Sequence, residues 1–135
     1  MSLRVFAIAT MFFLFADLIW IGYLGNSLYR DGYGELLRKS GGMITPNWYS
    51  AIVVYVLCIT GMMILLAPAC AGGNQLLYVA YGALYGLVLY GFYNFTNHAV
   101  FANWPINLVI IDTIWGTLLC AMTNLCIFYA QKLLQ

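Results

Sequence analysis

Charge is what this chain has least of. Asp, Glu, Lys and Arg make up 7% of it, against about 25% in an ordinary soluble domain, so a water-facing globular surface cannot be assembled from it. The net charge of +1 gives no basic face for nucleic acid. Intrinsic disorder is excluded too, because that needs low hydrophobicity and high net charge. Cysteine is sparse at four, with no CxxC or Cys/His zinc spacing among them. Cys58 and Cys120 read as buried apolar fillers, and spacing alone does not pair Cys70 with Cys126. There is no P-loop, GxGxxG, HExxH or GxSxG, so no cofactor is named and no catalytic residue is assigned. Proline occurs three times.

What the chain has is long apolar runs, in a total of 64% apolar residues. A spanning helix needs about 20 such residues for a hydrocarbon layer of roughly 30 Å. Four windows qualify: about 5–24, 48–67, 76–95 and 106–129. Their apolarity is continuous, not alternating, which excludes a membrane barrel. Backbone groups in lipid must be paired within each segment, so helices follow. The expected fold is all-α, an integral membrane four-helix antiparallel bundle, in one domain covering 1–135. Pro46 precedes the second window, with Thr45 as its N-cap, Pro68 closes that window, and Asn103-Trp104-Pro105 opens the fourth. Trp48, Tyr49 and Trp104 stand where interfacial aromatics belong. The first window reads as a retained helix and not a leader, because Asp17 interrupts it. The 25–45 loop reads as a short surface helix bounded by Gly32, Gly34 and Gly41-Gly42, with Glu35 one turn from Arg38 and Lys39. The positive-inside rule leaves orientation open, with Arg30, Arg38 and Lys39 on one side against Arg4 and Lys132 on the other.

Seven of the nine charged residues fall outside the windows; Asp17 and Asp112 do not. An acid at a helix centre costs roughly 2.5–3.5 kcal/mol to insert and normally faces the bundle interior with a partner. Let the near side be the one holding both termini. Asp17 comes seven residues before the far end of the first window, and Asp112 six residues after the far start of the fourth. Both carboxyls therefore lie about 9–11 Å below the far face. Asn94, Asn97 and His98 share one face of the third helix if it continues, and Tyr55 stands about two turns into the second. Trp20 and Trp115 each follow an Asp by three residues. With the helices antiparallel, Trp20 points up and Trp115 down, framing a far-side pocket with an aromatic rim and floor. The near half has fewer polar groups, and Thr10, Thr60, Thr123 and Asn124 there are uncharged and suited to interhelical hydrogen bonds. Tyr78, Tyr81 and Tyr85 line one face of the third helix, and Gly82 and Gly86 form a small-xxx-small pair offering a close-packing or homo-oligomer face.

Three segments together resemble a known family: Phe15-Ala16-Asp17-Leu18-Ile19-Trp20, Tyr90-Gly91-Phe92-Tyr93-Asn94-Phe95-Thr96-Asn97-His98-Ala99 and Asp112-Thr113-Ile114-Trp115-Gly116. It is a family of small four-helix bacterial membrane proteins catalogued as a domain of unknown function. The resemblance spans nearly the whole chain and implies a bacterial inner-membrane location, without an activity, substrate or cofactor. The family pattern often has Asp where this chain has Asn94, which removes one acid from any three-carboxylate mechanism.

Asp17, Trp20, Asn94, Asn97, His98, Asp112 and Trp115 are thus the candidate ligand-binding residues, for a small molecule or cation in a polar intramembrane pocket, with membrane lipid as the surrounding partner. A second reading is a structural or accessory subunit whose polar layer fixes helix packing. A third is a lipid-modifying enzyme using Asp17 or Asp112 with His98; it lacks a nucleophile or metal motif, so the balance is against an enzyme.

Overall fold

A computed structural model describes residues 3–134. The first span is α1 (Leu3–Leu24). A short helix α2 (Asn26–Tyr33) and a hairpin of β1 (Lys39–Ser40) and β2 (Met43–Ile44) follow. The remaining spans are α3 (Trp48–Ala69), α4 (Gln75–Val100) and α5 (Ile106–Leu133). All four long helices are long and apolar enough to cross a membrane. The chain is all-α apart from the small hairpin. Around the bundle α1 packs on α5 and α3, and α4 packs on α5 and α3, which closes a ring. Large apolar side chains such as Phe15, Val54, Leu84, Phe92 and Ile114 point outward, as lipid-facing helices require.

The tightest seam lies between α4 and α5. In lipid, helices gain little from burying apolar surface against one another, so close backbone approach carries the association. A Cβ on Gly82 would stand 2.6 Å from the Cys120 carbonyl oxygen, and one on Gly86 would collide with the Gly116 carbonyl oxygen. A Cβ on Gly116 would in turn enter the Tyr90 ring. Gly82 and Gly86 are therefore a close-packing pair inside the chain, as one of their two readings expects, and do not offer a homo-oligomer face. Tyr78 is buried and Tyr81 faces outward, so the three tyrosines do not make one wall.

Local causes shift several expected boundaries. Asn47, not Thr45, caps α3 by accepting from the Ser50 N–H at 3.2 Å. The Thr45 N–H is already taken by the Arg38 carbonyl at 2.9 Å. Pro68 does not end α3: a π-helical turn at Met62–Leu66 precedes it and one further α turn reaches Ala69. The real stop is the turn through Gly72, whose φ of 76° suits a residue without a side chain. The loop helix also lies earlier than expected. It runs through Gly32, whose bare backbone seats against Leu108 of α5. Glu35 and Lys39 do pair at 3.5 Å, but from a 3-10 turn and a strand. Gly41 and Gly42, at φ 58° and 80°, turn the hairpin in which Lys39 faces Ile44.

The near half departs from expectation as well. Thr10 and Thr123 donate to carbonyls one turn back in their own helices, at 2.8 Å each. Of these residues, Asn124 bridges helices, donating to the Tyr78 carbonyl at 2.7 Å. All four cysteines are free thiols, with Cys58, Cys70 and Cys120 buried.

Candidate functional site

Asp17 and Asp112 belong to one connected cluster. Asp17 is 5% exposed, and each of its oxygens accepts one hydrogen bond: from Trp115 Nε1 at 3.0 Å and from Tyr55 Oη at 2.8 Å. Asp112 is half-buried and accepts from Tyr29 Oη at 2.5 Å and from Asn94 Nδ2 at 2.6 Å. Tyr29 Oη itself accepts from Trp20 Nε1 at 2.9 Å. Each tryptophan thus serves the acid of the other helix, Trp115 directly and Trp20 through a phenol. Between them the two indoles stack, with ring centroids 4.5 Å apart and planes 11° from parallel.

This arrangement corrects the aromatic rim and floor. The indoles fill the space between the acids and do not enclose a pocket. Trp115 lies one turn nearer the near side than Asp112, yet it meets Asp17, so the polar layer is about one turn deep (~5 Å) and not a single plane. Where the sequence suggests a packed base, a hollow of about 720 Å³ opens at the near end, among residues such as Pro68, Tyr78 and Phe128.

Of the seven candidate residues, Asp17, Trp20, Asn94, Asp112 and Trp115 come together. Asn97 is only half-buried, and its side chain bonds Tyr93. His98 is exposed and donates from Nδ1 to the Trp104 carbonyl at 2.8 Å. Helix α4 does continue to Val100, but at the level of His98 its neighbour is the turn into α5, and the imidazole ties that turn down.

Two members of the cluster were not among the candidates. Tyr55 sits at the right depth on α3 but carries no charge to mark it. Tyr29 comes from α2, and its signal was the Tyr29–Tyr33 pair at i, i+4, an aromatic stripe on an otherwise polar segment. Its return depends on the end of α1. Residues Trp20–Leu24 form a π-helical turn, closed by the Gly25 N–H on the Trp20 carbonyl at 2.6 Å. A Cβ on Gly25 would lie 3.0 Å from the Tyr29 ring and 3.1 Å from the Trp20 carbonyl oxygen. Glycine lets the chain double back this closely without displacing either neighbour. Burial pushes the Tyr29 phenol above its ordinary value, and the Asp112 carboxylate pushes it further, so Tyr29 is held as a donor.

No cationic side chain bonds to either acid. All donors to the two carboxylates are neutral. Among the described residues the one salt bridge is Lys39–Glu35, at the exposed hairpin. Beside Asp112, the buried Asn94 Oδ1 and Thr113 Oγ1 have no hydrogen-bond partner in the protein. No group of three or more His, Cys, Asp or Glu among the described residues could hold a metal ion.

No curated protein and no solved structure matches the chain. A family model described as "Predicted membrane protein (DUF2177)" matches residues 2–129. With four helices long and apolar enough to cross a membrane and a match over nearly its whole length, the chain belongs to that family of predicted membrane proteins.

Proposed function

We propose that this membrane protein binds, and exchanges across the bilayer, a small cation and protons at the Asp17–Asp112 cluster. One observation carries the reading: two intramembrane carboxylates are bonded only to neutral donors, while Arg4, Arg30, Arg38, Lys39 and Lys132 all lie toward the ends of the spans or in the loop. Uncompensated charge in lipid is costly and marks ion or substrate paths. A cation or a proton supplies what the chain does not. The unpartnered Asn94 Oδ1 and Thr113 Oγ1 add neutral oxygens beside Asp112, and the indole faces add cation–π surface. Tyr29 covers Asp112, so α2 must shift for a ligand to arrive from the far side. The resemblance noted above favours a bacterial inner membrane as the setting.

A second reading is supported by the same hydrogen bonds: with each carboxylate oxygen already satisfied, the cluster serves only to lock α1, α3, α4 and α5 in register within an accessory subunit. The test separates them. Protein reconstituted in liposomes is given an outward proton gradient and tetraphenylphosphonium as the probe cation. The transport reading expects gradient-driven uptake that Asp17→Asn and Asp112→Asn abolish. Absence of uptake by the wild type, or equal uptake by both variants, removes it and leaves the register lock.

A further inference from the structure

The near end of the bundle carries a second site, unconnected with the acids. The 720 Å³ hollow there has the size of a ligand cleft. Ala67, Pro68 and Phe128 give it apolar walls. Its polar element is the buried Tyr78, whose hydroxyl donates to Gln131 Oε1 at 2.8 Å. An adjoining hollow of about 550 Å³ shares Gly72, Gly73, Phe128 and Lys132 with it. Lys132 therefore stands where the two meet. Its ammonium lies 4.5 Å above the Phe128 ring and has no ion-pair partner among the described residues.

The charged side chains at this end have one sign. The acidic side chains of the whole chain are Asp17, Asp31, Glu35 and Asp112. Two lie in the polar layer toward the far side and two in the far loop. The near end has Arg4 and Lys132 and no acidic side chain. The cleft also lies at the membrane boundary, since Pro68 and Lys132 fall in the last turns of their spans. A basic cleft between span ends at that depth meets lipid headgroups before it meets bulk solutes.

We propose that this cleft seats an anionic phospholipid, its phosphate paired with Lys132 and its glycerol and upper acyl chain lying against Phe128 and Pro68. Detergent-purified protein is mixed with phosphatidylglycerol or phosphatidylcholine, and retained lipid is read by native mass spectrometry. The wild type should retain the anionic lipid about fivefold better, as one basic side chain near a membrane surface contributes. Lys132→Gln should lose that preference and Lys132→Arg keep it. Ala71→Phe, which fills the cleft while leaving the charge, should lower retention of the anionic lipid, and Arg38→Gln at the far loop should change nothing. Circular dichroism establishes that each variant is folded. Equal retention of the two lipids by the wild type overturns the proposal, as does undiminished preference in folded Lys132→Gln. Displacement of the lipid by inorganic phosphate alone would reassign the site to a free anion.

Discussion

Trp115 donates its indole N–H to Asp17 at 3.0 Å, joining the last span to the first across 98 positions of sequence. Trp115→Phe keeps an aromatic ring for Trp20 to stack on but leaves one carboxylate oxygen without its donor. The loss should be about 1–3 kcal/mol, the usual range for orphaning a buried polar group. Thermal unfolding in detergent measures it, and no change in Tm would mean that this bond is not formed in the folded protein.

The indole stack has its own signature. Two parallel rings at 4.5 Å should couple their near-ultraviolet transitions. The resulting circular dichroism couplet should vanish in Trp20→Leu and in Trp115→Leu alike, and persist in Trp48→Leu, whose side chain is exposed.

Tyr29 fastens α2 over the cluster by giving one hydrogen bond and taking another. Tyr29→Phe should free that helix while sparing the spans. Amide hydrogen exchange should rise at least about tenfold across residues 26–33, the equivalent of roughly 1.4 kcal/mol of lost protection. Uniform acceleration over the whole chain would instead show that Tyr29 supports the bundle globally.

Alkaline pH should act on the same residue. Because burial and the Asp112 carboxylate raise the Tyr29 phenol above its ordinary 10.0, the folded chain holds that proton more tightly than the unfolded one. Its contribution is therefore complete below pH about 10 and is lost as pH rises from there toward the raised folded value. Tm followed from about pH 9 upward should fall, and fall less steeply in Tyr29→Phe. Parallel curves would assign the alkaline loss to other groups.

The α4–α5 seam should tolerate no side chain. Gly86→Val and Gly116→Val meet a carbonyl oxygen and the Tyr90 ring respectively. Each should cost at least about 3 kcal/mol, the upper range for overpacking a tight interface, and recovery of folded monomer should drop sharply. Gly22→Ala, with nothing within 4 Å of the added carbon, is the matched control.

Much of this was legible in the sequence, for identifiable reasons. The spans announce themselves because a lipid layer demands long apolar runs, and Asp17 and Asp112 stand out because charge inside those runs is costly. The stacking of Trp20 on Trp115 was not legible, since it depends on a relative depth of α1 and α5 that helical rise alone fixes only to about a turn. Tyr29 escaped notice because its position follows from a π turn, which no periodicity argument anticipates. Gly82 and Gly86 are legible as a close-packing pair, but not which helix they pack on. The partner that claims them, Gly116, can be recognised only once α5 is laid beside α4.

The wide turn at Trp20–Leu24 acts as an added tooth in a gear. One residue of α-helix turns about 100°, and a π turn takes up about one residue more than an α turn, so rewinding Trp20–Leu24 as α-helix with every residue kept would swing everything downstream through that angle. The phenol ring now resting on Asp112 would then point away from it. Angular phase, set by one surplus residue, thus decides whether Tyr29 adds its bond on Asp112 to the one that Trp115 makes with Asp17.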